Sequence, residues 1–94
     1  MTVARITTLN FKAKEGADQI EETYKTNAPT EFTEAEQLLE VRVDETTLMF
    51  VSLYADNDAM ERASAARTKR MDLNKDLIDS MDGKTGKVIL NHSK

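Results

Sequence analysis

In the run Thr47-Leu48-Met49-Phe50-Val51-Ser52-Leu53-Tyr54, apolar side chains occupy both parities of the alternation. Met49, Val51 and Leu53 fall on one face, Leu48, Phe50 and Tyr54 on the other, with Ser52 the one small polar interruption. Aliphatic, β-branched and aromatic residues at this density make a strand. A sheet covered by helices on one face and wet on the other alternates apolar with polar, so this strand requires cover on both faces. The chain has 94 residues and 10.6 kDa, enough for one domain and one core. With two substantial helices to offer, it covers one face itself and needs a surface from outside for the other. A second copy joined sheet to sheet about a twofold axis meets that need most simply. The competing reading is a central strand covered by a loop or by the chain end.

Outward from this run, Asp44-Glu45-Thr46 is the short polar connection of a hairpin to a preceding strand, Leu38 to Val43. Val3 to Phe11 reads as a further strand, with Val3, Leu9 and Phe11 on one parity and Ala4 and Ile6 on the other. From Glu15 the period changes. Ala17, Ile20, Tyr24 and Ala28 form one helical stripe that Pro29 is expected to close. Thr33 and Glu36 have capping-box spacing, which predicts a turn or two of helix before the hairpin. Beyond it, Asp56-Asn57-Asp58 caps a second helix with Ala59, Met60, Ala63, Ala66 and Arg67 inward and an Asp58–Arg62 ion pair. Leu73, Leu77, Ile78 and Met81 predict a further helical face ended by Asp82-Gly83, and Lys87 to Asn91 a last strand. The order β-α-β-β-α-β belongs to an α+β, ferredoxin-like domain, a four-stranded antiparallel sheet with both helices on one face.

Composition narrows function. The net charge of −4 and the pI of about 5.0 oppose a surface built to neutralise phosphates. The absence of Cys removes disulfides, thiolate metal sites and a thiol nucleophile, and a single His, His92, rules out an imidazole cluster within one subunit. No apolar run approaches the roughly 18 residues that span a bilayer, and Met1-Thr2-Val3-Ala4-Arg5 lacks a signal peptide's apolar centre. The expected location is the cytoplasm, with neither membrane nor nucleic acid as partner. Leu, Ile, Val and Phe make up 20 of the 94 residues, just above the level of about 20% below which charged chains stay unfolded.

Lys14-Glu15-Gly16 opening the first helix, the strand Leu48 to Tyr54 and the acidic, Ala-rich helix after it resemble the antibiotic biosynthesis monooxygenase-like group of dimeric α+β barrel proteins. The resemblance covers nearly the whole chain. It implies two subunits packing their sheets into a barrel, with a small aromatic or hydrophobic molecule between sheet and helices. Some members oxygenate quinols or polycyclic phenols without metal or flavin, and others degrade haem. The oxygenases use an Asn with a Trp, and the haem-degrading members a His on a helix. This chain has no Trp, and its His lies near the carboxyl end, so haem degradation is not expected and no cofactor is implied.

The candidate site residues are Tyr54 and His92 for catalysis and Tyr24, Phe50 and Arg67 for substrate. Tyr54 can donate a hydrogen bond to a ligand carbonyl or developing oxyanion, or serve only as an interface aromatic. Tyr24 faces the same space or packs the core. His92 is the one imidazole available as a general base, unless it frays at the chain end. Arg42 and Arg67 suit an anion or a surface ion pair. Gly83-Lys84-Thr85 is no P-loop, because Ile78 stands at the first Gly and a strand follows. Asp72, Asn74 and Asp76 have calcium-loop spacing, but Leu77 replaces the turn Gly and Gly83 the bidentate Glu. The basic run Arg62 to Arg70 reads as a solvated face. An RNA-recognition module shares the element order, yet only Phe50-Val51 matches its third-strand motif. Two functions follow: a small-molecule oxygenase acting without cofactor, and a non-catalytic binding or assembly module on the same fold.

Overall fold

In the computed structural model, which describes residues Met1–Lys94, the chain runs β1 (Val3–Phe11), α1 (Lys14–Glu31), β2 (Ala35–Asp44), β3 (Thr47–Tyr54), α2 (Asn57–Arg62), α3 (Ser64–Asn74), a 3₁₀ turn (Lys75–Leu77) and β4 (Ile78–Lys87). The strands form one antiparallel sheet in the order β2-β3-β1-β4. This is the expected ferredoxin-like plan, with α2 and α3 sharing the second helical arm. Leu48, Phe50 and Tyr54 are buried with Val3, Leu9 and Phe11 of β1 and with Ala17, Ile20, Tyr24 and Ala28 of α1 in a single core. Asp56 caps α2 by accepting the Ala59 N–H at 2.8 Å.

The register assigns the opposite face. Leu39 and Val41 of β2, Met49, Val51 and Leu53 of β3, and Ala4 and Ile6 of β1 lie side by side there. Leu39, Val41 and Val43 remain 46%, 48% and 52% exposed. No loop or chain end covers this surface, so the doubly apolar character of β3 is resolved as one face in the core and one open.

Three local expectations are corrected. Pro29 does not end α1, which continues to Glu31 with Phe32 N–H bonding Ala28 O at 2.8 Å. The extra turn buries Phe32 beside Tyr24, ring centroids 6.2 Å apart, and the proline sits so near the helix end that one missing N–H is tolerated. Thr33 and Glu36 start no helix, because Ala35 already pairs with Tyr54 in β2. Asp58 does not pair with Arg62, whose guanidinium is taken by Glu34 at 2.6 Å.

The largest correction concerns the carboxyl-terminal third. The face Leu73-Leu77-Ile78-Met81 is not one helix: α3 stops at Asn74, and residues from Ile78 pair with β1. The open edge of β1 supplies a ladder of backbone partners that outweighs a spacing compatible with either period. Leu73 is left exposed at 76%. The last strand is therefore Ile78–Lys87 and not Lys87 to Asn91; of that stretch Lys87 pairs with Val3 and the Val88 N–H bonds Thr2 O at 3.0 Å.

Leu48 is fully buried at the centre of the core. Leu48→Ala is expected to cost about 2–5 kcal/mol, read as a lowered urea midpoint with an unchanged slope.

Candidate functional site

On β1 the odd positions Val3, Arg5, Thr7, Leu9 and Phe11 face the helices, so two polar side chains sit on the buried parity. Thr7 is 4% exposed. Above them passes α3, where Ser64 and Arg67 share a face at i, i+3. The two elements reach toward each other: Arg5 Nη2 donates to Ser64 Oγ at 3.3 Å, and Arg67 Nη2 to Thr7 Oγ1 at 3.4 Å. Gly83 of β4 lies opposite Thr7, and a Cβ there would stand 3.3 Å from Arg67 Nη2. The glycine leaves room for the guanidinium.

Between these groups lies a cavity of about 40 Å³, partly open, floored by Phe50, Ser52 and Tyr54 of β3 and walled by Tyr24 of α1 and by Arg67, Arg70 and Asn74 of α3. The Tyr24 and Phe50 rings meet at 4.5 Å and 58°, and the Arg70 guanidinium stands 5.4 Å over Tyr24. Such a volume admits one or a few water-sized groups. No residue of α3 is fully buried, unlike α1 and α2, so the helix that roofs the cavity is the least anchored of the three.

The electrostatics are one-sided. No Asp, Glu or His lines the cavity. Burial pushes the Tyr24 hydroxyl up to about 12, helped by Tyr54 and Glu40 nearby. Burial, with Arg5 beside it, holds the Arg67 guanidinium below its usual value. Tyr54 is 1% exposed. No cluster of three or more His, Cys, Asp or Glu side chains is placed to hold a metal ion.

Four of the five expected site residues, Tyr24, Phe50, Tyr54 and Arg67, line this one cavity. His92 does not: it lies in the exposed segment after β4. Arg42 is elsewhere too, bound to Glu21 at 2.8 Å and Asp18 at 3.0 Å, where it ties β2 to α1. Arg5, Arg70 and Asn74 were missed. The signal for Arg5 was present, since it shares parity with Val3, Leu9 and Phe11, and a charge on a buried parity is the informative exception.

No family model and no curated protein matches the sequence. Solved structures do. The chain is similar to a dimeric ferredoxin-like protein from an uncultured marine organism (TM-score 0.80, 8% identity, 99% of this chain and 92% of that one). It is similar to a candidate antibiotic biosynthesis monooxygenase from Chloroflexus aurantiacus (TM-score 0.72, 7% identity, 99% and 98%). The third is SnoaB, a cofactor-independent oxygenase from Streptomyces nogalater, in mutant form (TM-score 0.71, 13% identity, 99% and 98%). The fold is that of the antibiotic biosynthesis monooxygenase-like proteins. At these identities the likeness to the monooxygenase-like structures is one of architecture, and the residues around this cavity are described from this chain alone.

Behind Tyr24, Glu40 of β2 has a buried, unpartnered Oε2. Burial first, then Glu21 and Glu22 against the opposing pull of Lys25 and Arg70, pushes its carboxyl up to about 7 from 4.5. A carboxyl raised on folding binds more protons in the folded chain between those two values, so its effect is a loss of stability as pH rises through them. Glu40 is only partly buried, so solvent screening holds the effect to about 1 kcal/mol. Melting temperatures from pH 4.5 to 8 are expected to fall across this window, and Glu40→Gln to flatten that part of the profile.

Proposed function

We propose that two copies of the chain pair through their open sheet faces, and that each holds a small hydrophobic or aromatic molecule in the cavity beside Tyr54. The activity that fits best is oxygenation of a quinol- or phenol-like substrate by molecular oxygen, without a bound cofactor. The observation that carries this is a buried phenol, Tyr54, at the floor of a cavity walled by the Tyr24–Phe50 pair. In this reading its hydroxyl donates to a substrate oxygen on which negative charge develops. For an activated methylene flanked by aromatic rings, the carbon loses two hydrogens and gains one oxygen atom as a carbonyl, while the second oxygen atom leaves as water. A flat ring larger than a few water-sized groups enters as α3 moves outward, which its lack of buried residues permits.

Pairing is supported by the apolar surface of Leu39, Val41, Met49, Val51, Leu53 and Ile6, which lie side by side on the face away from the helices. Ile89 and Leu90, 97% and 81% exposed after β4, add apolar surface available to a second copy.

A non-catalytic binding role has its own support. With no carboxylate or imidazole in the cavity and Tyr24 pushed up to about 12, no side chain there accepts a proton at neutral pH. An oxygenase reaction then needs a substrate that ionises by itself.

An oxygen electrode with a panel of quinols and anthrones separates the two. Protein-dependent uptake is expected, falling at least about tenfold in Tyr54→Phe with the dimer intact. Absence of uptake across the panel leaves the binding role. Independently, Val41→Glu places a charge on the open face and is expected to give a folded monomer by sedimentation; a persistent dimer would place the interface elsewhere.

A further inference from the structure

Five arginines of this chain have defined surroundings, and they divide into two kinds. Arg42, Arg62 and Arg70 each meet a carboxylate, on Glu21, Glu34 and Glu31, within 2.8 Å. Arg5 and Arg67 form no ion pair. Both line the cavity, from opposite walls, and their only side-chain partners are neutral: Ser64 for Arg5, Thr7 and the Met81 sulfur for Arg67. Arg5 Nη1 is buried with no hydrogen-bond partner at all.

A guanidinium does not escape burial by losing its proton, and two of like sign facing one another raise each other's cost. Burial first, and the like charge of Arg5 second, hold the Arg67 guanidinium below its usual value. The remaining route to neutrality is an anion brought from outside, and planar N–H forks recognise carboxylates by paired charge-assisted bonds. The apolar neighbours on the same cavity, Phe50, Tyr24 and Ile78, leave no second charge to match and suit a hydrocarbon or aromatic body.

We propose that the cavity selects a small organic carboxylate, its oxygens held between Arg5 and Arg67 and its body against Phe50 and Tyr24. This rests on the reading of the cavity as a ligand site and adds the charge of the ligand. Thr7 and Ser64 act as positioning residues that hold the two guanidiniums across the gap, and Gly83 leaves Arg67 the space to reach in.

The test compares benzoate with benzamide, of nearly the same shape and without charge, by calorimetry and by melting temperature at constant ionic strength. Benzoate is expected to bind at least about tenfold more tightly, and inorganic phosphate not to replace it. Arg67→Gln and Arg5→Gln are each expected to remove that preference, so that benzoate binds no more tightly than benzamide. Equal affinity for benzoate and benzamide in the unaltered protein would overturn the carboxylate and leave the cavity as a ligand site. Phosphate binding as tightly as benzoate would make it an inorganic-anion site and likewise overturn the inference. Binding of none of the three, nor of the quinols, would remove the ligand site itself. The comparison in the unaltered protein needs no variant to fold.

Discussion

Everything in this molecule hangs on β3 having a neighbour on each side and apolar side chains on each face. Pairing with β1 and β2 satisfies its backbone, and one parity, Leu48-Phe50-Ser52-Tyr54, commits the helices to a single side of the sheet. The connections then follow. From β1 the chain crosses over through α1 to β2, leaving the space that β3 fills, and from β3 it crosses through α2 and α3 to the free edge of β1. The site lies where the two crossovers meet above Ser52 and Tyr54, because only there do side chains from β1, β3, α1 and α3 converge. Meanwhile Met49, Val51 and Leu53 are left facing away from everything the chain itself provides.

Much of this was legible in the residues. The stripe Ala17-Ile20-Tyr24-Ala28 has one period and one face, and the structure buries each of its members. The hairpin around Asp44-Glu45-Thr46 was equally plain, since Asp44 accepts the Thr46 N–H at 2.9 Å as a turn residue should. Tyr24, Phe50, Tyr54 and Arg67 came together because helix stripe and strand parity pointed them to one side. The failures share a cause. Leu73, Leu77, Ile78 and Met81 fit one helix locally, but a long-range partner, β1, takes Ile78 and Met81 into the sheet, and spacing carries no information about a partner strand at the other end of the chain. Pro29 was overruled by the burial of Phe32, and the Asp58–Arg62 spacing by Glu34 from another element. Arg5 was passed over although its parity placed it inward.

The arrangement of charge separates structural from chemical roles better than charge count does. Arg42 fastens the hairpin to α1 through two carboxylates, and Arg70 is held by Glu31 while its plane lies over Tyr24; both are satisfied within the chain. On the cavity side Arg5 and Arg67 are left with neutral partners alone. Because no carboxylate reaches the cavity, the interior above β1 is electropositive in a protein whose net charge is −4.

The sheet's two rims bear on how copies of the chain can meet. An unpaired strand edge invites another strand to add to it, and runaway addition of this kind builds fibres. Here β2 is interrupted by register shifts at both ends and carries Glu36, Glu40 and Arg42, while β4 carries Asp79, Asp82, Lys84 and two glycines. These rims resist lateral growth, and the greasy surface available for self-contact is the flat of the sheet. Two flats stacked together shield one another and leave no third site to recruit a further molecule, so the geometry favours an association that terminates itself.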